Sequence, residues 1–134
     1  MNVLVDTSVW SLALRRQSPR GSSAENELAE LIREGRVFMV RAIRQELLSG
    51  IRAAEQFKKL RDSLRAFPDE PLQQDDYEEA AGCFNRCRAK GVQGSNTDFL
   101  LCAVALRRNV AILTTDADFE GFAKHLRIKL HSPR

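Results

Sequence analysis

Residues 2–10 read NVLVDTSVW. Val3, Leu4 and Val5 form an apolar run too short for a helix, and it stops at an acid, Asp6, followed at once by Thr7 and Ser8. A continuous apolar run without alternation fits a strand buried on both faces. An Asp-Thr-Ser sequence at its end fits a helix start, because a side-chain oxygen there accepts from the unpaired N–H groups of the first turn. The chain thus opens in the core, on a strand that hands over directly to a helix.

That alternation recurs along the chain. After SPRGSS, Ser22 and Glu25 make a capping-box pattern, with Leu28, Leu31 and Ile32 at helical spacing and a stop near Gly35. RVFMV (36–40) reads as a second strand, and RAIRQELLSG (41–50) as a helix capped by Gly50. Phe57, Leu60 and Leu64 mark a further helix whose other face carries Lys58, Lys59, Arg61 and Arg65, before two prolines in AFPDEPL break it. From about Asp75 to Ala89 one face is traced by Tyr77, Ala80, Ala81, Phe84 and Cys87. GSNTDFLLCA (94–103) begins an apolar helix with Asp98 at its mouth, where Gly94 permits a tight turn and Asn96 or Thr97 serves as cap. VAILTT (110–115) is the next strand, then come a helix bearing Phe119, Phe122, Ala123 and Leu126 and a last short strand at IKL (128–130). Strands alternating with helices imply a parallel sheet covered on both faces. The expectation is one α/β domain over residues 1–134, three-layered α/β/α, with a central parallel sheet of about five strands.

Composition bounds the rest. A chain of 134 residues, 43% apolar and 29% charged, has the size and make-up of one globular domain, and no stretch approaches the roughly 18 apolar residues of a membrane span. The N-terminus lacks the basic and long apolar segments of a signal peptide, so the expected location is the cytoplasm. Three cysteines without CxxC spacing argue against a disulfide framework or a zinc site and fit buried, inert thiols.

In open parallel sheets, ligands bind beyond the carboxyl ends of the strands. Asp6 follows the first strand and Asp116 follows AILTT, with Asp118 two residues on; Glu46 lies in the helix after the second strand and Asp98 at the start of the apolar helix. Each has an ordinary explanation. Asp6 fits a helix cap, Asp98, Asp116 and Asp118 fit first turns favoured by the helix dipole, and Glu46 fits a solvated helix surface. Collected on one rim, however, they would repel unless a cation neutralised them. Oxygen donors without His or Cys suit Mg²⁺ or Mn²⁺, and Mg²⁺ keeps waters and substrate phosphates as further ligands. A phosphodiester is the natural substrate. Setting these five acids aside leaves 13 acidic against 21 basic residues, a surface suited to a polyanion.

The segments VDTSVW, RQELLSG, GSNTDFLLCAVA and TTDADF, in that order and over nearly the whole chain, resemble those of PIN-domain proteins, and among them the VapC-type toxins of bacterial VapBC toxin–antitoxin pairs. The resemblance implies a metal-dependent endoribonuclease that inhibits translation, with Asp6, Glu46, Asp98 and Asp116 at the family's acidic positions and Asp118 at a more variable, auxiliary one. It assigns Thr7, Ser8 and Thr115, with Ser95 and Asn96, to supporting hydrogen bonds. It further implies Mg²⁺ or Mn²⁺ as cofactor, products with a 5′-phosphate and a 3′-hydroxyl, and a homodimer. The implied partner is a VapB-type antitoxin that covers the acidic site in a heterotetramer or larger assembly. Arg15, Arg16 and Arg20 are candidate contacts to RNA phosphates, and the 58–65 helix a candidate grip for the antitoxin.

Three rival readings stand beside it. A receiver-type signalling domain needs an acidic pair after the first strand and a lysine at the end of the fifth, but NVLVDTS has one Asp and Lys129 lies inside IKL. A haloacid-dehalogenase-like phosphatase needs a second Asp where Ser8 stands. A catalytically silent PIN-fold RNA-binding protein is opposed by the intact acids.

Overall fold

A computed structural model of the chain describes residues 1–15 and 22–134. Arg16, Arg20 and the side chain of Arg15, the candidate RNA contacts, lie outside the described residues. Strand β1 (Val3–Val5) is the centre of a parallel sheet, flanked by β2 (Val37–Phe38) and β3 (Ala111–Leu113) in the order β2-β1-β3. Val3, Leu4 and Val5 are successively buried. Since neighbouring strand residues face opposite ways, both faces of the sheet are covered by helices, as the apolar run predicts.

The expectation of about five strands is corrected: three form among the described residues. The remaining two positions are single parallel bridges, Met39 with Asp69 beside β2 and Ile112 with Leu130 beside β3. Asp69 lies between Pro68 and Pro71, and Leu130 is soon followed by Pro133. Proline has no N–H to donate, so neither ladder extends.

Helix α1 (Thr7–Arg15) leaves β1 directly and buries Val9 and Trp10. Helix α2 (Ser23–Arg33) starts at the predicted Ser22–Glu25 capping box and buries Leu28 and Leu31, while Ile32 turns out to be exposed. Helix α3 (Arg41–Leu48) buries Ile43 and Leu47; Ser49 is its C-cap, and Gly50 follows in the left-handed region at φ 87°. Helix α4 (Ala54–Leu64) buries only Leu64.

Helices α5 (Gln74–Ala89) and α6 (Asn96–Arg108) pack closely together. The buried stripe of α5 is Ala80, Cys83 and Cys87 rather than the Tyr77 to Cys87 line read from sequence; Tyr77 and Ala81 are exposed. Tyr77, Ala81 and Phe84 instead line an open groove of about 430 Å³ against α6. Asp76, fully buried, pairs with Arg107 and Arg108, whose guanidinium groups hold its carboxyl down at about 2. Helix α7 (Asp118–Ala123) buries Phe119 and Phe122. All three cysteines are buried and free, and burial pushes their thiols up, as expected of inert ones. Among the described residues no helix is long and apolar enough to cross a membrane.

Candidate active site at the carboxyl ends of the strands

The register of β1 on β3 pairs Val5 with Leu113, and the Asp6 N–H continues it by donating to the Leu113 carbonyl at 2.9 Å. The next residue on each chain is therefore brought side by side: Asp6 and Thr114. The Thr114 hydroxyl donates to Asp6 Oδ2 at 2.8 Å, and the Ser8 hydroxyl donates to the same oxygen at 2.9 Å. Asp116 N–H donates to Thr114 Oγ1 at 3.0 Å and Thr115 N–H to Ser8 Oγ at 3.1 Å, so the strand ends are laced together. Asp6 is 6% exposed.

Asp98 enters from the first turn of α6. Ser95 is the N-cap: its hydroxyl accepts from Asp98 N–H, and Asp98 Oδ2 accepts from Ser95 N–H at 3.0 Å. The expected cap, Asn96 or Thr97, is thus corrected by one residue. Ser is a strong N-cap, and with Asp three positions on it closes a reciprocal pair. Burial raises the Asp98 carboxyl above the ordinary carboxylate range; the Ser95 hydrogen bonds oppose the rise, and the charges of Asp6 and Asp116 add to it. These three acids share one electrostatic neighbourhood. Glu46, on exposed α3, is tied to the same rim by Thr7, whose hydroxyl donates to Glu46 Oε1 at 2.7 Å.

The pattern of bonds is the same at all four. Asp6 has its Oδ2 held, Asp98 its Oδ2, Asp116 its Oδ1, by the Asp118 N–H at 2.9 Å, and Glu46 its Oε1. The second oxygen of each takes no hydrogen bond from the described residues. Every acid is oriented by one oxygen and keeps the other free of hydrogen bonds from the described residues. Asp118 differs: its carboxylate is exposed, and it contributes its backbone N–H to Asp116.

Among the supporting residues, Thr7 orients Glu46, Ser8 orients Asp6 and Ser95 orients Asp98. Thr115 contributes its N–H only; its side chain is exposed, and the hydroxyl that bridges Asp6 and Asp116 belongs to Thr114. Thr114 was missed because TT offers two equivalent hydroxyls; the signal that separates them is strand parity, since register places 114 opposite Asp6. Asn96 is exposed and donates to none of the acids.

As they stand, no three His, Cys, Asp or Glu side chains among the described residues are grouped to hold one ion. A closed cage is not what Mg²⁺ requires, because it binds through one or two carboxylates and retains waters. Oriented carboxylates with oxygens unclaimed by the described residues, mutual repulsion at Asp98 and, among the described residues, no Lys or Arg paired to any of the four are a donor set that fits such an ion.

A parallel α/β/α fold with pinned acids at its strand ends defines a class of domain suited to phosphodiester chemistry. The chain belongs to the PIN-domain family, whose profile matches residues 3–125 and so includes all five acids. It is 30% identical over 139 aligned residues to VapC ribonuclease Mb1587 of Mycobacterium bovis and to ribonuclease VapC11 of Mycobacterium tuberculosis, covering 98% of this chain and 99% of each relative. Its fold is similar to FitAcB from Neisseria gonorrhoeae, with a TM-score of 0.75 and 19% identity over 98% of this chain and 97% of that one. It is also similar to VapBC2 from Rickettsia felis bound to a DNA fragment from its promoter, with a TM-score of 0.78 and 18% identity over 98% of both chains. PIN-domain nucleases generally use divalent metal ions.

Proposed function

We propose that this chain is a VapC-type toxin, an endoribonuclease that hydrolyses RNA phosphodiester bonds with Mg²⁺ or Mn²⁺ and is neutralised by a cognate VapB-type antitoxin. The observation that carries the reading is the common arrangement of Asp6, Glu46, Asp98 and Asp116, each with one oxygen locked and the other unclaimed by the described residues. The named relatives support it. A bound divalent ion supplies the Lewis acid that polarises the phosphodiester and activates water for in-line attack.

The chain's own residues do the rest. The oxygens of Asp6, Asp98 and Asp116 left open by the described residues would hold the ion, and Glu46, set across the rim by Thr7, would orient the attacking water. No protein nucleophile takes part, so the products carry a 5′-phosphate and a 3′-hydroxyl. The working form is a homodimer, and the antitoxin silences it by covering the acidic rim.

The test is cleavage of RNA by the purified chain and by Asp98→Asn, with Mg²⁺ or Mn²⁺ and with chelator. Asp98→Asn retains an oxygen for the Ser95 cap, so it separates chemistry from folding. New 5′-phosphate ends that need both the metal and Asp98 are expected, with a loss of at least about 100-fold in the variant. Equal cleavage by both chains, or in chelator, would refute the assignment. No cleavage by either would favour the silent RNA-binding alternative.

A further inference from the structure

Ala42, Gln45, Glu46 and Ser49 stand at i, i+3, i+4 and i+7 and so form one stripe along α3 and its C-cap. With Thr7 from α1 and Thr97 from α6 opposite, the stripe walls an open pocket of about 480 Å³, within the usual range for small-ligand sites. The pocket opens directly off the acidic rim: Thr7 follows Asp6 in the chain, Thr97 precedes Asp98, and Glu46 belongs to both.

Among the described residues its lining contains no Lys, Arg or aromatic residue. It therefore suits neither a phosphate, which Arg or Lys would grip, nor a ring stacked on a ring. What it offers is hydroxyls, one amide and the Glu46 carboxylate that it shares with the rim. Two of the hydroxyls are engaged, Thr7 with Glu46 and Ser49 with the Gln45 carbonyl at 2.7 Å. The Gln45 side chain is exposed and takes part in no hydrogen bond among the described residues. Its amide places a donor beside an acceptor. Ser49 fixes the backbone behind it, through its N–H at 2.9 Å as well as its hydroxyl, and the small Ala42 and Ser49 leave room on either side. A paired donor and acceptor carried on an anchored stretch of helix matches the edge of an unpaired base, which presents the same pair in complementary order.

We infer that this pocket receives one unpaired nucleobase of the RNA, next to the scissile phosphate, and that the Gln45 amide selects which base it is. The inference rests on the ribonuclease reading above. Purified wild-type chain, Gln45→Met, Gln45→Glu and Asp6→Asn are incubated with Mg²⁺ and a stem–loop RNA library with a randomised loop, and the 5′-phosphate ends are sequenced. Wild type should favour one or two bases at a single position near the cut. Gln45→Met, similar in length but without the amide, should lose about tenfold discrimination at that position alone. Gln45→Glu, an acceptor only, should shift the preference toward bases with an exocyclic amino group. A Gln45→Met profile indistinguishable from wild type, or no wild-type preference near the cut, would overturn this inference and leave the ribonuclease reading intact. Absence of Asp6-dependent cleavage would overturn both.

Discussion

The Thr114 hydroxyl accepts from the Asp116 N–H at 3.0 Å and donates to Asp6 Oδ2 at 2.8 Å, so one side chain fixes two acids relative to each other. Valine has nearly the same shape and lacks both bonds. Thr114→Val should fold normally and lower RNA cleavage by about 10- to 100-fold, the usual effect of removing a group that orients a metal ligand. Thr115→Val keeps the N–H that reaches Ser8 and should stay within about twofold of wild type, because its exposed hydroxyl bonds to none of the acids. Initial cleavage rates of the two variants decide the matter. Equal losses would show that the hydroxyl at 114 is not the link. The acids themselves were legible in sequence, because a lone carboxylate at the end of an apolar run stands out. The supporting hydroxyls were legible only in part: DTS is a helix-start pattern that names its own roles, whereas SNTD offers three adjacent candidates for one cap, of which Ser95 and not the expected Asn96 or Thr97 serves, and choosing between adjacent threonines needs a strand register that depends on residues 108 positions apart.

At the level of elements, α6 was the most readable. Phe99 to Ala105 are all buried, and an unbroken apolar run of that length fits only a helix packed on every side. The short edge bridges and the buried face of α5 were not readable. The first depend on where prolines interrupt pairing between distant segments, and the second on which of two adjacent stripes α6 covers. Gly94 shows a similar limit. Its sequence context suggests a tight turn, yet its φ is not in the left-handed region, and what demands glycine is crowding: a Cβ there would meet Phe122 Cζ at 2.6 Å and Phe99 Cε2 at 3.0 Å. The loop thus lies flat on the aromatic rings that join α6 to α7, immediately before the Ser95–Asp98 cap. Gly94→Ala should destabilise the fold by about 1–3 kcal/mol, as overpacking does, and should lower cleavage by displacing Asp98. Thermal denaturation of Gly94→Ala and of Gly94→Ala with Phe122→Leu checks the cause. The second change removes the ring atoms in conflict, so the double variant should recover part of the stability lost relative to Phe122→Leu alone. A purely additive loss would place the strain elsewhere.

Across the whole molecule, buried or clustered acids fall into two groups. Burial would raise the carboxyl of Glu27, but hydrogen bonds from His131 and Arg134 outweigh it and the net direction is down; Asp76 is held at about 2 by Arg108 and Arg107. Each binds distant parts of the chain, α2 to the last residues and α5 to α6. Asp98 is the opposite case: burial raises it, other acids raise it further, and among the described residues no basic side chain pairs with it. A folded-state value above the ordinary 3.8 means that folding disfavours the ionised form. Below that ordinary value the group is protonated in both states and costs nothing. As pH rises past it, the unfolded chain ionises first and stability falls, and the full penalty persists once pH exceeds the raised folded value, including at pH 7. Asp98→Asn removes the charge and keeps an oxygen for the cap, so in chelator at pH 7 it should melt above wild type, by ~4 °C for each kcal/mol relieved in a chain of this size. At pH 3 that advantage should vanish. Millimolar Mg²⁺ should raise the wild-type midpoint through binding to the folded state and raise that of Asp98→Asn less, narrowing the gap. Calorimetric melts of both chains at the two pH values, with and without Mg²⁺, measure all three effects. If Asp98→Asn melts below wild type at pH 7 in chelator, the acid is chiefly a helix cap, and the cost attributed to gathered charge does not exist.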